Sequence, residues 1–190
     1  MRVPTNGKIV WAVCLCLLMN LMLTSTSDAA TARAINAGAD KALAQFRSNV
    51  KGADAFLRGA KGYLVFPEVI QAGIGIGGEY GEGVLRIGGK SVAYYSLAAG
   101  SIGFQLGAQR KSIIIVFLQN KALQDFRAKA RTDKAWSVGV DGSVALLNLG
   151  AQASIDSATI NQPIVGFVFR QEGLMYDLTL KGSKITKLQR

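Results

Sequence analysis

The glycine-rich segment AGIGIGGEYGEG, residues 72–83, is the first part of the chain whose residue types and spacing could do chemistry. Gly73, Gly75 and Gly78 have the G-x-G-x-x-G spacing of a dinucleotide-binding loop. Such a loop needs a helix directly after the glycines, because the helix N-terminus holds the pyrophosphate. Here strand and turn sequence follows, and no acid stands about twenty residues further on to bind a ribose hydroxyl. The segment therefore predicts a strand whose alternate glycines leave one face without side chains, so that another layer or a ligand can approach the backbone closely.

Residue types suited to catalysis are scarce. The chain has no histidine, so the usual general base and the commonest metal ligand are missing. Glu79 and Glu82 are the one close carboxylate pair in the glycine-rich segment. They could act as an acid/base pair or hold a cation, but the loop composition favours a solvent-exposed turn. We predict a protein that is not an enzyme and carries no metal or other cofactor.

Lysine and arginine give the chain its strongest signal, with a formal net charge of +10. Against an anionic bilayer each well-placed cation contributes about 1 kcal/mol. We therefore predict an anionic phospholipid or membrane surface as partner, the alternative being an ordinary solvated face. No nucleic-acid motif accompanies the charge, so we predict no nucleic-acid partner. The predicted lipid-binding residues lie in the N-terminal helical stretch and near the C-terminus: Arg33, Lys41, Arg47, Lys51, Arg58, Lys61, Lys181, Lys184 and Lys187, with Arg190 beside them.

Residues 1–32 have the pattern of a secretory signal peptide. Two basic residues precede an apolar run, Ile9–Leu23, and small residues follow it, so we predict cleavage after Ala29 or Ala32. The run is short for a membrane span, which needs about 20 residues; a retained anchor is the alternative. Both cysteines lie inside the run, away from its end, which argues against a lipoprotein. We predict an exported chain, periplasmic or associated with the cell envelope.

The elements that must position these residues begin with a helical stretch at 34–60. Its apolar residues recur at steps of three and four, and Gly52 is expected to divide it into two helices. The stripe suits either a helix packed on a core or apolar contact with a membrane. The stripe residues are Ile35, Ala39, Ala42, Leu43, Phe46, Val50, Ala53 and Leu57.

The period then changes to two, which predicts strands. YLVF should be a short strand ended by Pro67, and Gly88–Gly89 should form a hairpin turn. SIIIVFL, apolar throughout, should be a central strand covered on both faces. Tyr94 and Tyr95 should face opposite ways, with core packing favoured for both.

The second half of the chain continues with a short helix and further strands. Asn120 is predicted to cap the helix KALQDFRAKA. Trp136 should be a core residue, and Glu172–Gly173 and Lys181–Gly182 should mark turns between the last strands. Together these elements predict an α+β fold: a largely antiparallel, barrel-like β-sheet core, packed with an N-terminal helical segment and one short internal helix. We predict a single domain over residues 33–190.

Four blocks of the sequence resemble, in order, the SYLF domain family. The resemblance extends from Ala34 to Leu188 and implies binding of phospholipid, often phosphoinositide. Eukaryotic members are also described as actin regulators, a role we do not expect of an exported protein. The blocks are AKGYLVFPEVIQAGIGIGGEYGEGVL, GGKSVAYYSLAAGSIGFQLGAQRKSIIIVFLQNKALQDF, WSVGVDGSVALLNLGA and IVGFVFRQEGLMYDLTLKGSKITKL.

Residues and resemblance together predict a non-enzymatic phospholipid-binding domain of the bacterial cell envelope. Its Lys and Arg side chains would hold anionic, phosphoinositide-like headgroups. The alternative is a structural or interaction module that binds an envelope protein or polymer through the glycine-rich sheet.

Overall fold

The computed structural model of the protein describes residues 27–148, 153–155, 161–173 and 180–190. Residues 1–26 of the predicted signal peptide lie outside these ranges, and the first helix contains both predicted cleavage positions. The described helices are α1 (Ser27–Asn49), α2 (Ala53–Gly59) and α3 (Asn120–Lys129). The described strands are β1 (Val50–Lys51), β2 (Gly62–Ile87), β3 (Lys90–Phe117), β4 (Trp136–Ser137), β5 (Ala145–Asn148), β6 (Ala153–Ser154), β7 (Ile164–Gly173) and β8 (Lys184–Leu188).

The N-terminal helical stretch forms two helices, as predicted. Gly52 has a φ of 85°, a left-handed conformation that glycine adopts without strain, and it separates α1 from α2. All eight residues of the apolar stripe are buried, and they pack with Val84, Ile114 and Phe167 of the sheet. The stripe is therefore a core contact, which decides for the first of the two alternatives and against apolar contact with a membrane.

Strands β2 and β3 form one long antiparallel hairpin, with the predicted turn at Gly88–Gly89. The prediction that Pro67 ends the first strand is wrong, because β2 continues beyond it to Ile87. The register shifts between Phe66 and Val69, so the proline sits in an irregularity of the ladder. Within the described residues β2 pairs with β3 alone, and an edge strand with a bulge tolerates a residue that has no N–H.

The glycines of β2 allow the strand to bend sharply and to pack against itself. A Cβ atom on Gly73 would lie 2.4 Å from the Cα of Gly77, and one on Gly83 would lie 2.5 Å from the carbonyl oxygen of Val65. Side chains at these positions would therefore clash with backbone. The structural role predicted for the glycines is confirmed, because residues 72–83 lie inside β2, and the turn and β3, not a helix, come directly after that strand.

Apolar residues cover both faces of β3, as predicted for SIIIVFL. Residues 113–117 are fully buried, between β2 on one side and β7 on the other. We call the concave face of the sheet the inner face; it carries Tyr95 and Trp136 and packs against α3. The opposite, outer face packs against α1 and α2 and carries Tyr94, which is half-buried. Trp136 is a core residue, as predicted.

Two details of the second half differ from prediction. β7 runs through Glu172–Gly173, which pair with Arg110 and Gln109 of β3, so the turn predicted there is wrong. Gln119 occupies the N-cap position of α3 and makes no side-chain capping bond, so Asn120 is the first helical residue and not the cap. The predicted turn at Lys181–Gly182 is confirmed, with a φ of 88° at the glycine.

The larger sheet has the order β4-β8-β3-β7-β5, with β2 on the free side of β3. Its ladders are antiparallel except for β5 with β7, and β1 and β6 form a separate parallel pair. The sheet curls into a half-barrel, and the predicted α+β class is confirmed. Within the described ranges, no helix has the length and apolar character required to cross a membrane.

Candidate functional site: a cationic groove between α3 and β8

An open groove lies where the C-terminal end of α3 approaches β8. Its volume is about 670 Å³. Three basic residues line it, Arg127 from α3, Arg131 from the segment just after α3 and Lys187 from β8, and all three are exposed. We call this surface the cationic groove. Its remaining lining residues are Ala128, Thr132, Asp133 and Gln189.

Local packing fixes both walls of the groove. The apolar side of α3 is buried through Phe126, whose ring centroid lies 5.1 Å from that of Tyr95 and 5.4 Å from that of Trp136. Because Phe126 is packed in the core, the neighbouring Arg127 is exposed at the opening of the groove. The backbone N–H of Lys187 donates to the carbonyl oxygen of Arg131 across 3.4 Å, which joins the end of the helix to β8. Arg127 and Lys187 therefore project from a packed helix and a strand, and Arg131 from the segment that this hydrogen bond joins to β8.

Positive charge exceeds negative charge among the lining residues. The one carboxylate, Asp133, lies 3.1 Å from Nε of Arg131. Its pKa is lowered, first by a hydrogen bond from its own backbone amide and then by Arg131. Burial raises the pKa of the Tyr95 hydroxyl, and the nearby charge of Arg127 opposes that rise. Three cations against one carboxylate leave a net positive site.

A sequence model described as "Ysc84: Las17-binding protein actin regulator" matches residues 98–190 of the chain. Residues 98–190 therefore match the SYLF domain family, to which this model belongs. The family is one of binding domains, associated with lipid or actin-related binding, and is not in general a family of enzymes. Among curated proteins, no sequence matches the chain. All residues that line the cationic groove lie inside the Ysc84 match.

The six predicted N-terminal cations lie outside the Ysc84 match and outside the groove. All six are exposed, on α1, α2 or the segments that flank α2. Arg47 forms an ion pair with Asp54 at 2.9 Å. The six are Arg33, Lys41, Arg47, Lys51, Arg58 and Lys61.

The structure separates the predicted C-terminal cations. Lys187 pairs in register with Tyr95 and belongs to the groove, whereas Lys184 pairs with Ala98 and lies on the outer face of the sheet. Lys181 lies in the turn before β8, with its side chain near Gly139. The nine predicted residues therefore do not form one site, and only Lys187 reaches the groove.

Sequence reasoning missed the two arginines of the groove. Arg127 and Arg131 belong to a run that also includes Lys129 and Lys134, so four cations stand within eight residues at and after the short helix. The helix itself was predicted. The high density of positive charge in this segment was the signal that could have identified it as part of a binding surface.

Glu79 and Glu82 do not lie in a solvent-exposed turn, and that expectation is wrong. Both are strand residues of β2, and they face opposite sides of the sheet. Glu79 is buried and lies 2.7 Å from Nζ of Lys111. Glu82 accepts two hydrogen bonds from Arg190, at 2.7 and 2.8 Å. Because β2 curls, Glu79 is buried and Glu82 is partly buried. No local sequence pattern indicated this burial.

The buried Lys111–Glu79 pair does not provide an accessible acid/base site. The side chains are 1% and 6% exposed, so a substrate does not reach them in this fold. Gln71 and Ser183 lie at hydrogen-bond distance, 3.4 Å from Lys111 and 3.5 Å from Glu79. The pair is best read as a charge pair that holds the curled sheet together. Over the described part of the chain, no cluster of three or more His, Cys, Asp or Glu could hold a metal ion.

Proposed function

We propose that the chain is a non-enzymatic phospholipid-binding domain of the bacterial cell envelope, which holds anionic, phosphoinositide-like headgroups through lysine and arginine. The cationic groove carries this proposal, because it places three cations beside one carboxylate within the part of the chain that matches the family. That match to a family of binding domains supports it.

The chemistry of the groove suits a phosphate group. The guanidinium groups of Arg127 and Arg131 can each donate two hydrogen bonds to phosphate oxygens, and Lys187 adds a mobile point charge. Because the groove is open to solvent, a headgroup can enter while its acyl chains stay in the bilayer. The exposed N-terminal cations add attraction at longer range, which salt weakens.

We further propose that the chain is exported and not lipidated. The support is the pattern of residues 1–32: basic residues, then an apolar run with both cysteines inside it, then small residues. An outer-leaflet or periplasmic surface would then present the anionic lipid. Fractionation of cells that express the full chain, with N-terminal sequencing of the product, tests this. Recovery of an intact N-terminus in the cytoplasm would contradict it.

Flotation of the purified protein with vesicles tests the lipid partner. Wild-type protein should float with phosphatidylglycerol mixed into phosphatidylcholine and not with phosphatidylcholine alone. The variant R127Q/R131Q removes two charges from the groove. We expect about thirtyfold weaker binding to the anionic vesicles, since each cation contributes about 1 kcal/mol.

The control variant K90Q/K121Q removes the same net charge elsewhere. Lys90 lies at the β2–β3 turn and Lys121 at the start of α3, both exposed and neither in the groove. We expect this variant to bind about as wild type, within a factor of about three. Equal weakening by both double variants would show that only overall charge matters and would remove the groove assignment. Negligible wild-type binding to the anionic vesicles would remove the function.

A further inference from the structure

Among the described residues, elements packed on the outer face of the β2–β3 hairpin cover only about half of it. Helix α1 covers the end nearest the turn, where Val84 is buried and Asn36 donates a hydrogen bond to the Tyr94 hydroxyl across 2.7 Å. Beyond that, large apolar side chains are exposed: Ile70 at 44%, Ile76 at 75% and Tyr80 at 53%. We call these three residues the apolar end of the hairpin.

The register places the apolar end on one face, together with two cations. Tyr80 pairs with Ala98, which pairs in turn with Lys184 of β8, so these side chains stand in one row across three strands. Ile70 pairs with Arg110 on the same face. Both Lys184 and Arg110 are exposed.

The bend in β2 makes this face convex where Ile76 lies. Gly73 and Gly77 approach so closely on the inner side that a Cβ on Gly73 would lie 2.4 Å from the Cα of Gly77. The opposite side of so sharp a bend must protrude, and Ile76 is on that side. A large apolar side chain thus stands at a protruding point of the surface.

Charges of both signs surround the apolar end. Glu82 is on the same face, but Arg190 neutralises it through two hydrogen bonds. Glu68, at the irregularity before Ile70, is exposed, and Glu172 of β7 pairs in register with Arg110. A protruding isoleucine, an amphipathic tyrosine and flanking cations are what the interface of an anionic bilayer accommodates.

We infer that the apolar end of the hairpin inserts into the interfacial region of an anionic bilayer, with Arg110 and Lys184 against the headgroups. The inference rests on the proposed lipid-binding function and adds to it a second contact surface, distinct from the cationic groove. Lys184 and Lys187 are three residues apart on β8, about 10 Å, and face opposite sides of the sheet. Strand β8 thus has one cation in each surface.

Substitution of Ile76 tests the insertion, with Val140 as a matched control. Val140 is 85% exposed, in the turn after β4, far along the chain from the hairpin. We expect I76D to weaken binding to phosphatidylglycerol-containing vesicles by about tenfold or more. The carboxylate removes apolar area that insertion would bury, and it is repelled by the anionic membrane surface. V140D makes the same change in charge and should weaken binding by less than about threefold.

A fluorescence measurement reports insertion directly and does not depend on affinity. In I76W, emission of the new tryptophan should shift to the blue on addition of vesicles, and brominated lipid should quench it. In V140W the added tryptophan should show neither effect. Trp136 is buried in both variants and contributes the same background.

The outcomes separate this inference from the proposed function. If wild type floats with anionic vesicles and R127Q/R131Q does not, yet I76W is not quenched, the lipid function stands and the insertion is refuted. If I76D leaves lipid binding intact but abolishes self-association in analytical ultracentrifugation, the apolar end joins two copies of the chain, and the insertion is again refuted. If wild-type protein binds no vesicle at all, both proposals fail.

Discussion

The interior of the curled sheet and the cationic groove both place basic residues beside a carboxylate, yet they treat charge in opposite ways. Inside, Lys111 meets Glu79 one to one at 2.7 Å, with both side chains almost fully buried. In the groove, Arg127, Arg131 and Lys187 face a single carboxylate, Asp133, and remain exposed.

The difference follows from the cost of removing charge from water. A buried ion without a partner costs several kcal/mol, so the interior tolerates only a matched pair with its remaining hydrogen bonds satisfied. At an exposed surface the same excess of charge costs little and can attract an anion. Exposure, more than residue type, therefore separates a structural charge pair from a binding site in this molecule.

Breaking the interior pair should give the largest effect. Replacing Lys111 with methionine leaves Glu79 buried without its cation, and we expect the free energy of unfolding to fall by about 3–5 kcal/mol. Urea denaturation of K111M measures this. The control is K121M, which breaks the exposed Lys121–Asp125 pair and should change stability by about 0.5 kcal/mol or less.

The double variant K111M/E79L sharpens the same prediction. It removes both charges, so no unpaired ion remains, and it should recover much of the stability lost in K111M. A double variant no more stable than K111M would show that packing, and not the unpaired charge, dominates at this position.

The sequence predicts much of the fold because several of its signals are local. The helical stripe divided at Gly52, the Gly88–Gly89 turn and the apolar strand at 113–117 all appear in the structure as expected. The continuation of β2 past Pro67 and its bend were not predicted. They depend on β2 being an edge strand that folds across itself, which is a long-range property.

The site was predictable only in part for the same reason. A count of cations found Lys187, but it could not tell that Lys184, three residues earlier, faces the other side of the sheet. Glu79 lies far from Lys111 in sequence, and their contact depends on the curl of the hairpin. Charge density along the chain therefore identified basic segments, while the grouping of residues into surfaces came from topology.

Adding negative charge to the groove tests the other half of this comparison, the net positive charge of the exposed site. We expect a smaller effect than that of K111M. Gln189 lines the groove and is exposed. We expect Q189E to weaken binding to anionic vesicles by about fivefold, since it offsets one cation worth about 1 kcal/mol. Its free energy of unfolding should stay within about 0.5 kcal/mol of wild type, because the site is solvated.

The matched control for that charge is Q124E, an exposed position on α3 outside the groove. It should leave vesicle binding within a factor of about two of wild type. A Q189E variant that binds as tightly as Q124E would mean that the groove does not contact the lipid.

The Glu82–Arg190 pair, with side chains 23% and 13% exposed, is intermediate in exposure between the interior pair and the groove, and it gives the smallest predicted effect. Hydrogen bonds from Arg190 lower the pKa of Glu82 below its ordinary value of 4.5; partial burial opposes this and the Tyr80 hydroxyl adds to it. Because the folded pKa is lowered, the pair stabilises the fold above 4.5, and this contribution is lost as pH falls through the folded value.

The variant E82Q should therefore be less stable than wild type near neutral pH, by about 1 kcal/mol or less for a partly exposed pair. The difference should shrink as the pH falls below 4.5 and vanish once Glu82 of the folded wild-type protein is protonated. Unfolding of both proteins by urea across this range measures the difference, and R190Q should lose stability in the same window. A wild-type advantage over E82Q that persists unchanged in acid would mean that Arg190 stabilises the fold through packing alone, which would make this pair unlike both the interior pair and the groove.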